Sequence, residues 1–83
     1  MENITNEMFK LGYHLSYIRD GVYYFKSNKY LSYDYIIIML NIKEKIYWKN
    51  RYYVTATFAQ TFDIVDFTTQ EAETIKKLFE EEN

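Results

Sequence analysis

The sequence predicts an α+β domain: an N-terminal helix, an antiparallel meander of four to five strands, then a C-terminal helix, with both helices on one face of the sheet. Three observations lead there. Apolar residues recur at helical spacing near both ends. Between them lie runs of β-branched and aromatic residues, broken by turn signals. No proline occurs anywhere in the 83 residues, so no strand is barred from pairing on either edge. Terminal helices flanking a meander are most simply buried together on one side of it.

Residues 3–11 open the chain as a short helix, with Ile4, Met8 and Leu11 at i, i+4 and i+7. Gly12 follows, where a helix needs a residue that tolerates positive φ. Residues 14–18 and 22–26 read as strands joined through Arg19-Asp20-Gly21, a hairpin signal. Ser27-Asn28-Lys29 leads into the third strand, residues 33–42. Residues 41–45 then form a turn into a strand at 46–49, and Lys49-Asn50-Arg51 a tight turn into a strand at 52–59. Thr68 precedes Glu71 by three, the spacing of a capping box, and Ala72, Ile75, Leu78 and Phe79 mark one apolar face of the last helix. Asp63, Asp66 and Glu71 lie near its positive end, where carboxylates are favoured. Three glutamates at the other end, Glu80 to Glu82, oppose the dipole and predict an unwound last turn.

The third strand is apolar on both faces. Ile36, Ile38, Leu40 and Ile42 form one alternate set, and Tyr33, Tyr35, Ile37 and Met39 the other. A sheet with one solvated face should alternate apolar with polar. One set can lie under the helices; the other becomes a tyrosine-rich outer face. Surfaces of that kind mark interaction sites. The expected contact face is Tyr33, Tyr35, Ile37 and Met39, with Tyr23 and Phe25 beside them.

Composition sets limits on function. The length suits one domain spanning 1–83, and 48% hydrophobic with 20% aromatic residues favours a packed core over disorder. With no cysteine, packing has neither disulfide nor thiolate metal site to assist it, which fits a reducing compartment. The N-terminus does not read as a signal peptide and the longest apolar stretch is too short to span a bilayer, so a cytoplasmic location and no membrane partner are expected.

The search for chemistry returns little. A single histidine, His14, excludes multi-histidine metal sites, and Asp63 and Asp66 lack the further acids and glycine of a calcium loop. Two glycines, Gly12 and Gly21, cannot build a phosphate-binding loop. His14 stands without a nucleophile in its segment. The expectation is a protein that is not an enzyme and uses no cofactor or metal.

Charge is unevenly distributed. Residues 1–42 balance four acids with four bases, residues 43–51 carry four bases against Glu44, and residues 52–83 carry seven acids against Lys76 and Lys77. The basic segment also holds aromatics. Lys45, Tyr47, Lys49, Arg51 and Tyr52 therefore form a candidate platform for single-stranded nucleic acid, where bases stack on aromatics beside cations. A pI near 5.3 argues against it. The acidic end suggests a third reading, a small inhibitor that docks on a basic host protein.

The segment EMFKLGY at Glu7 to Tyr13, followed by a tyrosine-rich meander and a T-x-x-E helix, resembles small accessory proteins carried by phages and mobile elements of low-GC Gram-positive bacteria. Met8 and Phe9 stand where such proteins often have two aromatics, or a Phe and a Glu. The resemblance implies a helix–meander–helix fold and an accessory role, and it carries over no catalytic residue. The leading expectation is an interaction protein that forms a homodimer, or binds another protein, through the outer face of its sheet.

Overall fold

The computed structural model describes residues 2–29 and 31–81, and of Glu2 the backbone alone. Its elements are α1 (Glu2–Lys10), β1 (Tyr13–Arg19), β2 (Val22–Ser27), β3 (Asp34–Asn41), β4 (Ile46–Val54), β5 (Gln60–Ile64) and α2 (Thr69–Glu81). The five strands form one antiparallel sheet in the order β1-β2-β3-β4-β5. The α+β meander with a helix at each end is the fold expected from the sequence.

Local chemistry explains the joints. Gly12 takes φ +101° directly after α1, and its carbonyl accepts from the Asn28 amide at 2.8 Å. Asp20 and Gly21 both have positive φ between the paired Arg19 and Val22, the two-residue turn that matches strand twist. Asn41 Oδ1 accepts from the Glu44 amide at 3.0 Å and shapes the turn before β4. At α2, the Thr68 amide donates to Glu71 Oε1 at 3.0 Å and the Glu71 amide to Thr68 Oγ1 at 3.1 Å, completing the capping box.

Both helices cover one face. Ile4 and Met8 of α1 and Ile75, Leu78 and Phe79 of α2 pack on Tyr23, Phe25, Ile38 and Leu40. The helices run antiparallel: Asn3 Nδ2 donates to Glu81 Oε2 at one end, and Tyr13 reaches Glu71 at the other. At roughly 1.5–3 kcal/mol per fully buried large apolar side chain, this single layer supplies most of the stabilisation available to so small a chain.

Three sequence expectations are corrected here. Lys49-Asn50-Arg51 is not a turn but the middle of the nine-residue β4, and the reversal comes later, at 55–59. Polar residues in the middle of a strand mimic a turn; here Lys49 and Arg51 are held by acids from α2 and β3. Tyr23 and Phe25 do not border the outer face. Tyr23 pairs with Leu40 and Phe25 with Ile38, so both belong to the core under the helices. Alternation separates two sets on each strand, but the register set by the β2–β3 connection decides which set meets which. Finally, α2 stays helical through Glu81, because Lys45 Nζ donates to the Phe79 carbonyl at 2.7 Å and offsets the acidic end. Glu82 lies outside the described residues.

Candidate interaction face

Register assigns the face away from the helices. It is built from His14, Tyr17 and Arg19 of β1, Val22, Tyr24 and Lys26 of β2, Tyr35, Ile37 and Met39 of β3, Trp48, Asn50 and Tyr52 of β4, and Phe62 and Ile64 of β5. Among the described residues, no strand position on this face carries a carboxylate. The strand acids, Asp34 and Asp63, both stand on the helix side, opposite Tyr53 and Arg51. Lys49 and Arg51 of the basic segment share the helix side with these acids, and the charged strand residues on the outer face are Arg19 and Lys26.

The aromatics of this face are ordered in stacks. Tyr17 and Tyr24 lie 4.3 Å apart between ring centres at 9°. Tyr35, Tyr52 and Phe62, directly opposite one another on β3, β4 and β5, form a row with spacings of 5.5 and 5.7 Å. Lys26 Nζ sits 4.4 Å from the centre of the Tyr35 ring. Between the two stacks is a hollow of about 280 Å³ floored by Ile37.

This cover changes the standing of the sequence-expected residues. Ile37 and Met39 do lie on the outer face, yet they are only 9% and 5% exposed, because large side chains beside them spread over the sheet. Tyr35 is half-buried in its stack, and Tyr33 is exposed just before β3. The accessible apolar surface has moved to the margins: Tyr17 is 50% exposed, Phe62 57% and Ile64 80%. The sequence reading missed Tyr17, Tyr24, Phe62 and Ile64. The alternation of Gln60, Phe62 and Ile64 against Thr61 and Asp63 was a usable signal, masked by placing the preceding strand at 52–59.

The basic hairpin residues do not form one platform. Tyr47 faces the helices, edge-on to Phe67 and Phe79. Lys45 is tied to the end of α2. Arg51 makes a two-pronged contact with Asp34 at 2.9 and 2.7 Å, which lowers the Asp34 carboxyl and raises the guanidinium above their ordinary values. Tyr52 stands on the opposite face from the other four.

Lys49 is buried beneath α2 with its Nζ 2.7 Å from Glu71 Oε1. Glu71 also accepts from Tyr13 Oη at 2.7 Å and from the Thr68 amide. Burial alone would raise its carboxyl, but hydrogen bonds from Lys49, Tyr13 and Thr68 outweigh that and hold it below its usual value. Burial, then the bond to Glu71 and its charge, pushes the Tyr13 phenol well above its usual range. All three donors to Glu71 come from within the fold, and the cluster pins α2 to the sheet. His14 Nδ1 lies 2.8 Å from Asn28 Oδ1. Among the described residues no group of three or more His, Asp or Glu is placed to hold a metal, and no helix is long and apolar enough to cross a membrane.

No family model, curated protein or solved structure matches this chain.

Proposed function

We propose that this chain is a non-enzymatic interaction protein whose outer sheet face is its contact surface, with a second copy of the chain as the occupant. The observation that carries the reading is the asymmetry of the sheet. One face is sealed by two helices. The other carries stacked aromatic rings, no strand carboxylate among the described residues, and exposed Tyr17, Phe62 and Ile64. Aromatics at that density, accompanied by cations but by no strand carboxylate among the described residues, suit an interface, where aromatic residues and arginine are enriched and acids depleted. An accessory role in a phage or mobile element, as the resemblance implies, is compatible with a small binding module of this kind.

Light scattering over a concentration series from a few to about a hundred micromolar tests it, with Phe62→Lys as the variant. Phe62 is more than half exposed, so lysine there costs the monomer little fold stability. Ile37→Glu would be a poor choice, since it buries a charge. A wild-type dimer that Phe62→Lys turns into a folded monomer supports the reading. A wild-type monomer at every concentration overturns it.

A further inference from the structure

We infer that the second copy joins at the free edge of β5, extending the two sheets into one antiparallel sheet of ten strands about a two-fold axis at Phe62. The inference rests on the proposed self-association but moves the contact from the broad outer face to the edge of the sheet, where of that face only the β5 side chains meet their copies.

The argument starts from where the backbone groups of β5 point. In an antiparallel ladder a residue directs both its N–H and its C=O to the same neighbour, and the next residue directs both to the other side. The Val65 amide donates to the Lys49 carbonyl at 3.0 Å, and the Thr55 amide to the Ala59 carbonyl at 3.1 Å. On the far side of β4, the Val54 amide donates to the Tyr33 carbonyl at 3.1 Å. With the register Tyr53↔Thr61 and Arg51↔Asp63, residues 59, 61, 63 and 65 are thus committed to β4. Gln60, Phe62 and Ile64 aim their N–H and C=O groups away from the sheet. The edge lacks the stronger protections: β5 contains no proline, no lysine and no bulge, and its one charge, Asp63, stands on the helix side. The opposite edge is treated differently, for β1 carries a bulge between Leu15 and Tyr17 and ends in Arg19.

Self-complementarity then selects the occupant. Antiparallel pairing centred on Phe62 sets Gln60 opposite Ile64 of the second copy and closes hydrogen bonds from all three outward residues. The only charge on β5, Asp63, falls opposite Thr61 rather than another carboxylate, and Tyr53 Oη already donates to it at 3.0 Å. The row Tyr35–Tyr52–Phe62 stops at a half-exposed ring in the monomer. Across the two-fold, Phe62 meets Phe62 and the row continues to six rings. A five-residue edge makes a small interface, so association in roughly the micromolar range is expected.

The test uses the full chain carrying Gln60→Pro with Ile64→Pro, against Gln60→Ala with Ile64→Ala. Proline at those positions removes only outward N–H groups and leaves the β4 ladder intact. The alanine pair should still dimerise, while the proline pair should dimerise at least tenfold more weakly, each with an unchanged far-ultraviolet circular dichroism spectrum. Amide hydrogen exchange on the unmodified protein reads the same edge without substitution. Amides of Gln60, Phe62 and Ile64 should gain protection as concentration rises, while Thr61 and Asp63 are protected throughout. A dimer that Phe62→Lys breaks, but in which these three amides exchange freely at high concentration, overturns the edge geometry and leaves the outer face as the contact. Absence of any dimer overturns both.

Discussion

Lys49 Nζ and Glu71 Oε1 lie 2.7 Å apart with each side chain only 8% exposed, joining the centre of β4 to the first turn of α2. An ion pair so enclosed adds little over a well-packed apolar pair, but losing one member leaves the other charged, buried and unpaired. Lys49→Met should therefore cost about 3–5 kcal/mol. Lys49→Met combined with Glu71→Gln should cost clearly less than the two separate losses added together. Urea unfolding of the four proteins supplies the cycle; additive losses would show that the two groups do not depend on each other.

The same cluster fixes how stability responds to pH. Glu71 has its carboxyl depressed in the fold, so its contribution is complete above the ordinary value near 4.5 and is lost as pH falls through the folded value. Tyr13 has its phenol raised, so its contribution is complete below the ordinary value of 10.0 and is lost as pH climbs beyond it. Unfolding free energy measured across pH should therefore fall on both limbs. Glu71→Gln should flatten the acid limb and Tyr13→Phe the alkaline one. An acid limb as steep in Glu71→Gln as in the unmodified protein would remove Glu71 as its source.

Asn50 is the opposite case, a buried polar group on the outer face without full satisfaction. It lies between Ile37 and Ile64 in register, its Nδ2 is a long 3.4 Å from Tyr52 Oη, and its Oδ1 has no hydrogen-bond partner. An unmet buried acceptor costs about 1–3 kcal/mol. Asn50→Leu should thus be neutral or raise stability by about 1 kcal/mol, seen as a higher urea midpoint at unchanged slope. A clear loss would assign the amide a partner in solution.

What could be read from the sequence follows from which forces are local. Capping by Thr68 and Glu71, the turn at Asp20-Gly21 and the glycine after α1 are short-range, and each stands where the sequence places it. The two sets of β3 were equally legible, because alternation is a property of one strand. Tyr23 and Phe25 were misplaced because facing depends on register between strands, which a connection of six residues sets. The hairpin platform failed for a related reason. Lys49 and Arg51 look like free cations in the sequence, and only the fold brings Glu71 and Asp34 to them, from 22 and 17 residues away. Ile37 and Met39 were rightly assigned to the outer face, but the flanking aromatics leave little of either exposed.

Phe58 gives a prediction in which stability and association part company. It ends the three-residue loop of the β4–β5 hairpin with φ +62°, its amide donating to the Thr55 carbonyl at 2.8 Å, and it is 88% exposed. An L-residue held in the left-handed region costs about 1–2 kcal/mol, and this loop type favours glycine there. Glycine would relieve that strain but add about 0.5–1 kcal/mol of backbone entropy to the unfolded chain, so Phe58→Gly should gain roughly 0.5–1 kcal/mol. A large ring kept at a strained, solvated tip beside the free edge of β5 is a feature that folding alone does not require. If the ring contacts the partner, Phe58→Gly should melt higher than the unmodified protein at low concentration, where the monomer dominates, and should dimerise more weakly. Phe58→Gly with higher stability and unchanged association would make the ring a bystander, and lower stability would mean that it packs on the monomer itself.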